Sequence, residues 1–132
     1  MEIIGIIGGI GVLALLYAVY ASSKINAFKV EHDRVNELSG IIQSGAMAFL
    51  YREYKALVPF VVVVAALLAW KISVPSAICF VSGALCSALT GYVGMKVATK
   101  SNGKTAFAAM SGMNGALNIA FMGGSVMGMT VV

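Results

Sequence analysis

The chain carries very little charge. Of its 132 residues 11% are charged and 60% hydrophobic, where an ordinary soluble domain has about 25% charged and about 45–50% apolar residues. A free globular domain of this length would need more polar surface, so the composition points to lipid, where apolar side chains can face outward. One histidine and two cysteines suggest no metal site. Cys79 and Cys86 lie seven residues apart in one apolar run. On a helix that is about 10.5 Å of rise, too far for a disulfide, so each reads as a small apolar residue of a buried or lipid-facing helix. Acids are scarcer than bases, five against nine. None of the five lies inside a long apolar run. An embedded carboxylate is the default carrier of a proton or sodium ion through lipid. Its absence excludes a rotary-ATPase proteolipid and a small multidrug exporter.

What is present are apolar runs of membrane-spanning length. The first, 3–21, has no charge over nineteen residues, close to the ~20 that cross a bilayer. A cleaved signal peptide would want a basic start, and this chain opens Met1, Glu2. The second run, 56–74, contains Pro59, which removes a backbone hydrogen bond and can bend a helix. Trp70 and Lys71 at its end suit a membrane–water boundary. Pro75 marks a tight turn or the first turn of the next helix. The third run is 75–95, after which Ser101, Asn102 and Gly103 read as a turn. The fourth, 106–132, has neither charge nor polar tail, an abrupt stop expected of a fragment.

The expectation is therefore an all-α integral membrane protein of about four transmembrane helices in a single region, 1–132. The connection 22–55 holds most of the charge, and within it Leu38, Ile41, Ile42, Gly45, Phe49 and Leu50 recur at helical spacing. It reads as an amphipathic helix packed on its neighbours. Segments 22–55 and 96–104 carry eight of the nine Lys and Arg residues, and Lys71 carries the other. That is the pattern of membrane flanks rather than of a nucleic-acid surface, and it places both basic segments in the cytoplasm with Glu2 and the N-terminus outside. Glycine and serine recur at intervals of four, at Gly5 and Gly9, at Gly83, Ser87 and Gly91, and at Gly124 and Gly128. Such spacing lets helices approach closely in lipid. Glycines 5–11 are not a nucleotide loop, lacking a preceding strand and a P-loop lysine.

The candidates for chemistry are few. Glu31 and Asp33 are two residues apart, so on a helix they do not face each other. With His32 they read as solvated loop residues, like Glu37 and Glu53. Lys96, Lys100 and Lys104 are four apart and could approach an anion if helical, but the preferred reading is a cytoplasmic topology signal.

Several blocks carry a resemblance. Gly45, Ala46, Met47, Ala48, Phe49 and Leu50, followed by Arg52, Glu53 and Tyr54, resemble the segment entering the second helix of membrane-bound, ion-translocating inorganic pyrophosphatases. Gly83, Ala84, Ser87 and the run Gly91, Tyr92, Val93, Gly94, Met95 are similar to that family's third helix. Ala98, Thr99, Asn102, Lys104, Thr105, Ala106, Ala108 and Ala109 follow its next cytoplasmic approach. Ala116, Leu117, Ala120, Phe121, Gly123, Gly124, Val126, Met127 and Gly128 are similar to its fourth helix. Lys104 stands where the family more often has arginine, which keeps the charge but loses the planar fork. Phe107 stands where a small or polar residue is usual.

The resemblance implies sixteen helices per subunit in two rings, a homodimer, and Mg²⁺-pyrophosphate bound at cytoplasmic helix ends. Hydrolysis there would drive protons or sodium ions outward, with K⁺ as a possible cofactor. The matched helices would be outer-ring scaffold, embedded in membrane lipid and completed by the rest of the same polypeptide. The family's acidic signature has no counterpart here, so no catalytic, cofactor-binding or metal-binding residue is assigned within 1–132. The chain alone is expected to be inactive. A free-standing small membrane scaffold or assembly subunit is the alternative.

Overall fold

The computed structural model describes residues 2–132. Met1 and the side chains of Glu2 and Ile4 lie outside the described residues, and with them the expectation for Glu2. Four helices follow one another: α1 (Glu2–Ala27), α2 (Asp33–Lys71), α3 (Val74–Ala109) and α4 (Met113–Val131). They pack in a row whose spatial order is not the chain order. α2 lies against α3, α3 against α4, and α4 against α1.

The amphipathic connection and the second apolar run form one continuous helix that continues through Pro59. At 39 residues α2 is about 58 Å long, and α3 at 36 residues about 54 Å. Both exceed the ~30 Å hydrocarbon core of a bilayer. A two-residue turn at Ile72 and Ser73 joins them. The Ser73 hydroxyl accepts from the Ser76 amide at 3.3 Å, and Pro75 sits in the first turn of α3, where its missing donor costs nothing. Among the described residues three helices, α1 from Gly5, α2 and α3, are long and apolar enough to cross a membrane.

The turn expected at Ser101, Asn102 and Gly103 is instead helix, and α3 continues to Ala109. The Ser101 hydroxyl bonds back to the Val97 carbonyl at 2.8 Å, so a turn-prone residue is satisfied within the helix. The reversal comes at residues 110–112, where Gly112 takes φ 150°, a backbone region closed to most L side chains. The last apolar run is thus divided, its first residues ending α3 and the rest forming the 19-residue α4.

Packing relies on small residues. α1 buries Ala14, Ala18, Ala21 and Ile25, and the last three meet Val126 of α4 in one cluster with Val97 and Met122. Ala108, Ala116 and Ile119 form a second cluster at the α3–α4 turn. In the first half of α2 the inward face includes Ser39, Gln43, Ala46, Met47, Leu50 and Tyr54, not the set expected. Of that set Leu50 alone is buried, while Leu38, Ile41, Ile42 and Phe49 are exposed. The closest approach is made by small residues, Ser39 of α2 against Gly103 of α3, because in lipid small side chains let backbones come together.

The glycine intervals are corrected in the same way. A Cβ added at Gly5, Gly9, Gly83, Gly124 or Gly128 would meet nothing within 4 Å. The close approaches lie elsewhere: Gly103 against Ser39, Gly123 against Ser101, Gly94 against Met127, and Gly91 against the Tyr54 hydroxyl. That hydroxyl also donates to the Ala88 carbonyl at 2.5 Å, pinning α2 to α3. Cys79 and Cys86 are free and exposed.

Candidate functional site

The charged end of the bundle gathers the C-terminus of α1, the start of α2, the second half of α3 and the first turns of α4. A chain entering it from α1 has to reverse through residues 28–32. Asn36 holds this loop by donating its side-chain amide to the Val30 carbonyl at 3.0 Å, and Phe28 packs edge-on against Phe107 with ring centroids 6.3 Å apart. Phe107, an unexplained departure in sequence, thus has a partner: the two rings close the loop onto α3.

Lys96, Lys100 and Lys104 are helical, but they do not act as one cluster. Lys104 is buried, and its ammonium donates to the carbonyls of Ile25 and, at 3.2 Å, Asn26. Those carbonyls belong to the last turn of α1, where intrahelical donors run out; the Ile25 carbonyl also accepts from the Phe28 amide at 3.2 Å. A cation there also complements the negative end of the helix dipole. Burial, and then the neighbouring Lys100, hold the Lys104 ammonium below the usual lysine value. Lys104 is therefore a bolt between α1 and α3, and its donors are engaged by protein. Lys96 and Lys100 remain exposed, and Lys96 lies 5.5 Å from the Tyr92 ring centre. The same pairing recurs at the end of α1, with Lys24 5.9 Å from the Tyr20 ring centre.

The acids do not converge. Glu31, His32, Asp33, Glu37 and Glu53 are all exposed. Glu37 meets Arg34 at 3.3 Å on the surface of α2, a pair worth ~1 kcal/mol at most. Among the described residues no group of three or more His, Cys, Asp or Glu side chains could hold a metal ion. Sequence reasoning missed the roles of Ser39, Gly103 and Ser101 because turn-forming residues and close-packing residues are the same small types. The arrangement positions helices and offers exposed cations at Lys96 and Lys100.

Comparison with known proteins gives the same architecture a family. The profile of the family described as inorganic H+ pyrophosphatase matches residues 12–132. A putative K(+)-stimulated pyrophosphate-energized sodium pump of Clostridium tetani is 49% identical over 90% of this chain and 18% of its own length. A K(+)-stimulated pyrophosphate-energized sodium pump of Thermotoga maritima is 42% identical over 75% of this chain and 14% of its own. A K(+)-insensitive pyrophosphate-energized proton pump of Moorella thermoacetica is 39% identical over 99% of this chain and 19% of its own. The chain thus spans less than a fifth of the length of the curated relatives it matches. With long apolar helices, an ordered match over nearly all of its residues and relatives at these identities, the chain belongs to the inorganic H+ pyrophosphatase family.

Proposed function

We propose that this chain is the N-terminal part of a membrane pump in which pyrophosphate hydrolysis drives a cation across the bilayer, and that it contributes scaffold rather than the reacting site. The observation that carries this reading is the pairing of a match over 12–132 with acids that stay exposed and dispersed on the described structure. Phosphoryl transfer needs divalent metal and cationic groups gathered on the phosphate oxygens. The dispersed donor set does not fit a magnesium site, so no catalytic step is routed through this segment. Mg²⁺ and pyrophosphate belong to the remainder of the polypeptide, and the exposed apolar faces of α1, α2 and α3 meet lipid, the remaining helices and a second subunit. Sodium pumps and a proton pump are both among the relatives, so the cargo is a proton or a sodium ion, and the assay below decides between them.

In this reading residues 3–21, 56–74 and 75–95 span the membrane, and the run 106–132 reaches it through α4. The N-terminus lies outside, and the basic segments 22–55 and 96–104 lie in the cytoplasm. The test uses vesicles containing the full-length protein beside vesicles containing residues 1–132 alone. Pyrophosphate with millimolar Mg²⁺ should release phosphate and load ²²Na⁺ or protons only in the first. Uptake of ²²Na⁺ would assign the cargo to sodium, and acidification without sodium uptake would assign it to protons. Phosphate release by residues 1–132, abolished by Glu31→Gln or Asp33→Asn, would show that a site lies in this segment after all.

A further inference from the structure

Lys96 and Lys100 are left without a role by the scaffold reading. They stand one turn apart on α3, on the wall of a groove of about 300 Å³ closed on its other side by Ser22, Ile25 and Asn26 of α1. No carboxylate lines this groove. Ser22, Asn26 and Val93 are shared with a second groove of about 500 Å³, whose walls include Leu15, Ala18, Val19 and Val126. The two adjoin at these residues, one basic and polar, the other largely apolar. From Asn26 to Leu15 the apolar part follows α1 for about 16 Å, half of the ~30 Å hydrocarbon core. Its basic end lies where Tyr92 with Lys96 mark a membrane–water boundary, as Tyr20 with Lys24 do on α1.

We propose that this groove holds one anionic glycerophospholipid, its phosphate on Lys96 and Lys100 and an acyl chain in the trough between α1, α3 and α4. The assignment rests on the membrane placement given above, but not on pump activity. Two lysines with no acid beside them select an anion. Ser22 and Asn26 offer neutral donors to the headgroup oxygens. The trough selects a lipid over free phosphate, which would occupy the basic end alone. Lys104, one turn further on, is already bound to the α1 carbonyls, so bound lipid would bridge the same two helices that Lys104 ties together.

The experiment uses the full-length protein in mild detergent, with native mass spectrometry to count retained phospholipid and a thermal shift to measure affinity. The probes are phosphatidylglycerol, phosphatidylcholine and inorganic phosphate. The wild-type protein should retain phosphatidylglycerol in preference to phosphatidylcholine. Replacing both lysines, Lys96→Gln with Lys100→Gln, should weaken that binding by about 30-fold, at roughly fivefold per lysine near an anionic headgroup. The paired Lys96→Arg and Lys100→Arg protein should keep it, which separates lost charge from lost fold. Val93→Phe, which fills the junction of the two grooves, should also weaken it with both charges intact. Unchanged retention in the Gln pair, equal retention of phosphatidylcholine, or a shift of the same size with phosphate alone would each overturn the proposal.

Discussion

Gly123 offers a sharp test of how α3 and α4 are held. A Cβ at this position would lie 2.5 Å from the Ser101 hydroxyl oxygen and 2.6 Å from the Ser101 Cβ, where non-bonded carbons are at ease near 3.5–4.0 Å. The hydroxyl can rotate only by giving up its 2.8 Å bond to Val97. The Cβ cannot move without its backbone. Gly123→Ala therefore forces the helices apart by about 1 Å. Alanine gains up to ~1 kcal/mol of helix propensity over glycine, while overpacking costs ~1–3 kcal/mol, so the net is a loss of up to ~2 kcal/mol. In the Ser101→Gly background the obstruction is gone and Gly123→Ala should become neutral or stabilising. The measurement is a double-mutant cycle on the thermal midpoint of the full-length protein, at one scan rate because membrane proteins often unfold irreversibly. Coupling of ~1–3 kcal/mol is expected. If the two substitutions are additive, or if Gly123→Ala stabilises the otherwise wild-type protein, the close contact between α3 and α4 does not exist as described.

Lys104→Ala leaves the Asn26 carbonyl without its donor and the Ile25 carbonyl with the Phe28 amide alone, and should lower stability by ~1–3 kcal/mol; Lys104→Arg should hold most of it, as thermal unfolding will show. Phe28→Ala and Phe107→Ala should each destabilise, and together by less than their sum, since the edge-on pair contributes ~0.5–1.5 kcal/mol beyond burial. For topology, single cysteines at Ser23 and Asn102, both exposed, should resist an impermeant thiol reagent in intact cells while one at Ile72 reacts; Ser101 is too buried to report. Ready labelling at Ser23 or Asn102 would reverse the orientation.

The number and helical nature of the elements could be read from the sequence because lipid imposes them: runs near twenty apolar residues can satisfy their backbone only as helices. Residue-level packing could not. Hydrophobicity marks Leu38, Ile41 and Ile42 as core in water, yet all three are exposed here. Ser101, Asn102 and Gly103 have turn composition but lie inside α3, because Gly103 is where α2 approaches and Ser101 is where α4 does. The bond from Lys104 to α1 joins residues 78 and 79 apart in sequence, beyond any local pattern. The absence of an acid from the apolar runs, by contrast, was visible at once, because it needs only composition and order.

The row of helices also orders events in time. α1 is made first, yet it packs on α4, the last of the four, and not on α2, which follows it. Roughly a hundred residues separate the end of α1 from Val126, the α4 residue it meets, which at ~5–20 residues per second is about 5–20 s of synthesis. During that interval α2 and α3 can zip together as a hairpin, whereas α1 has only lipid around its alanine face. Docking of α1 by Ala18, Ala21 and Lys104 therefore waits until α3 and α4 have been made, after α2 and α3 can already have paired.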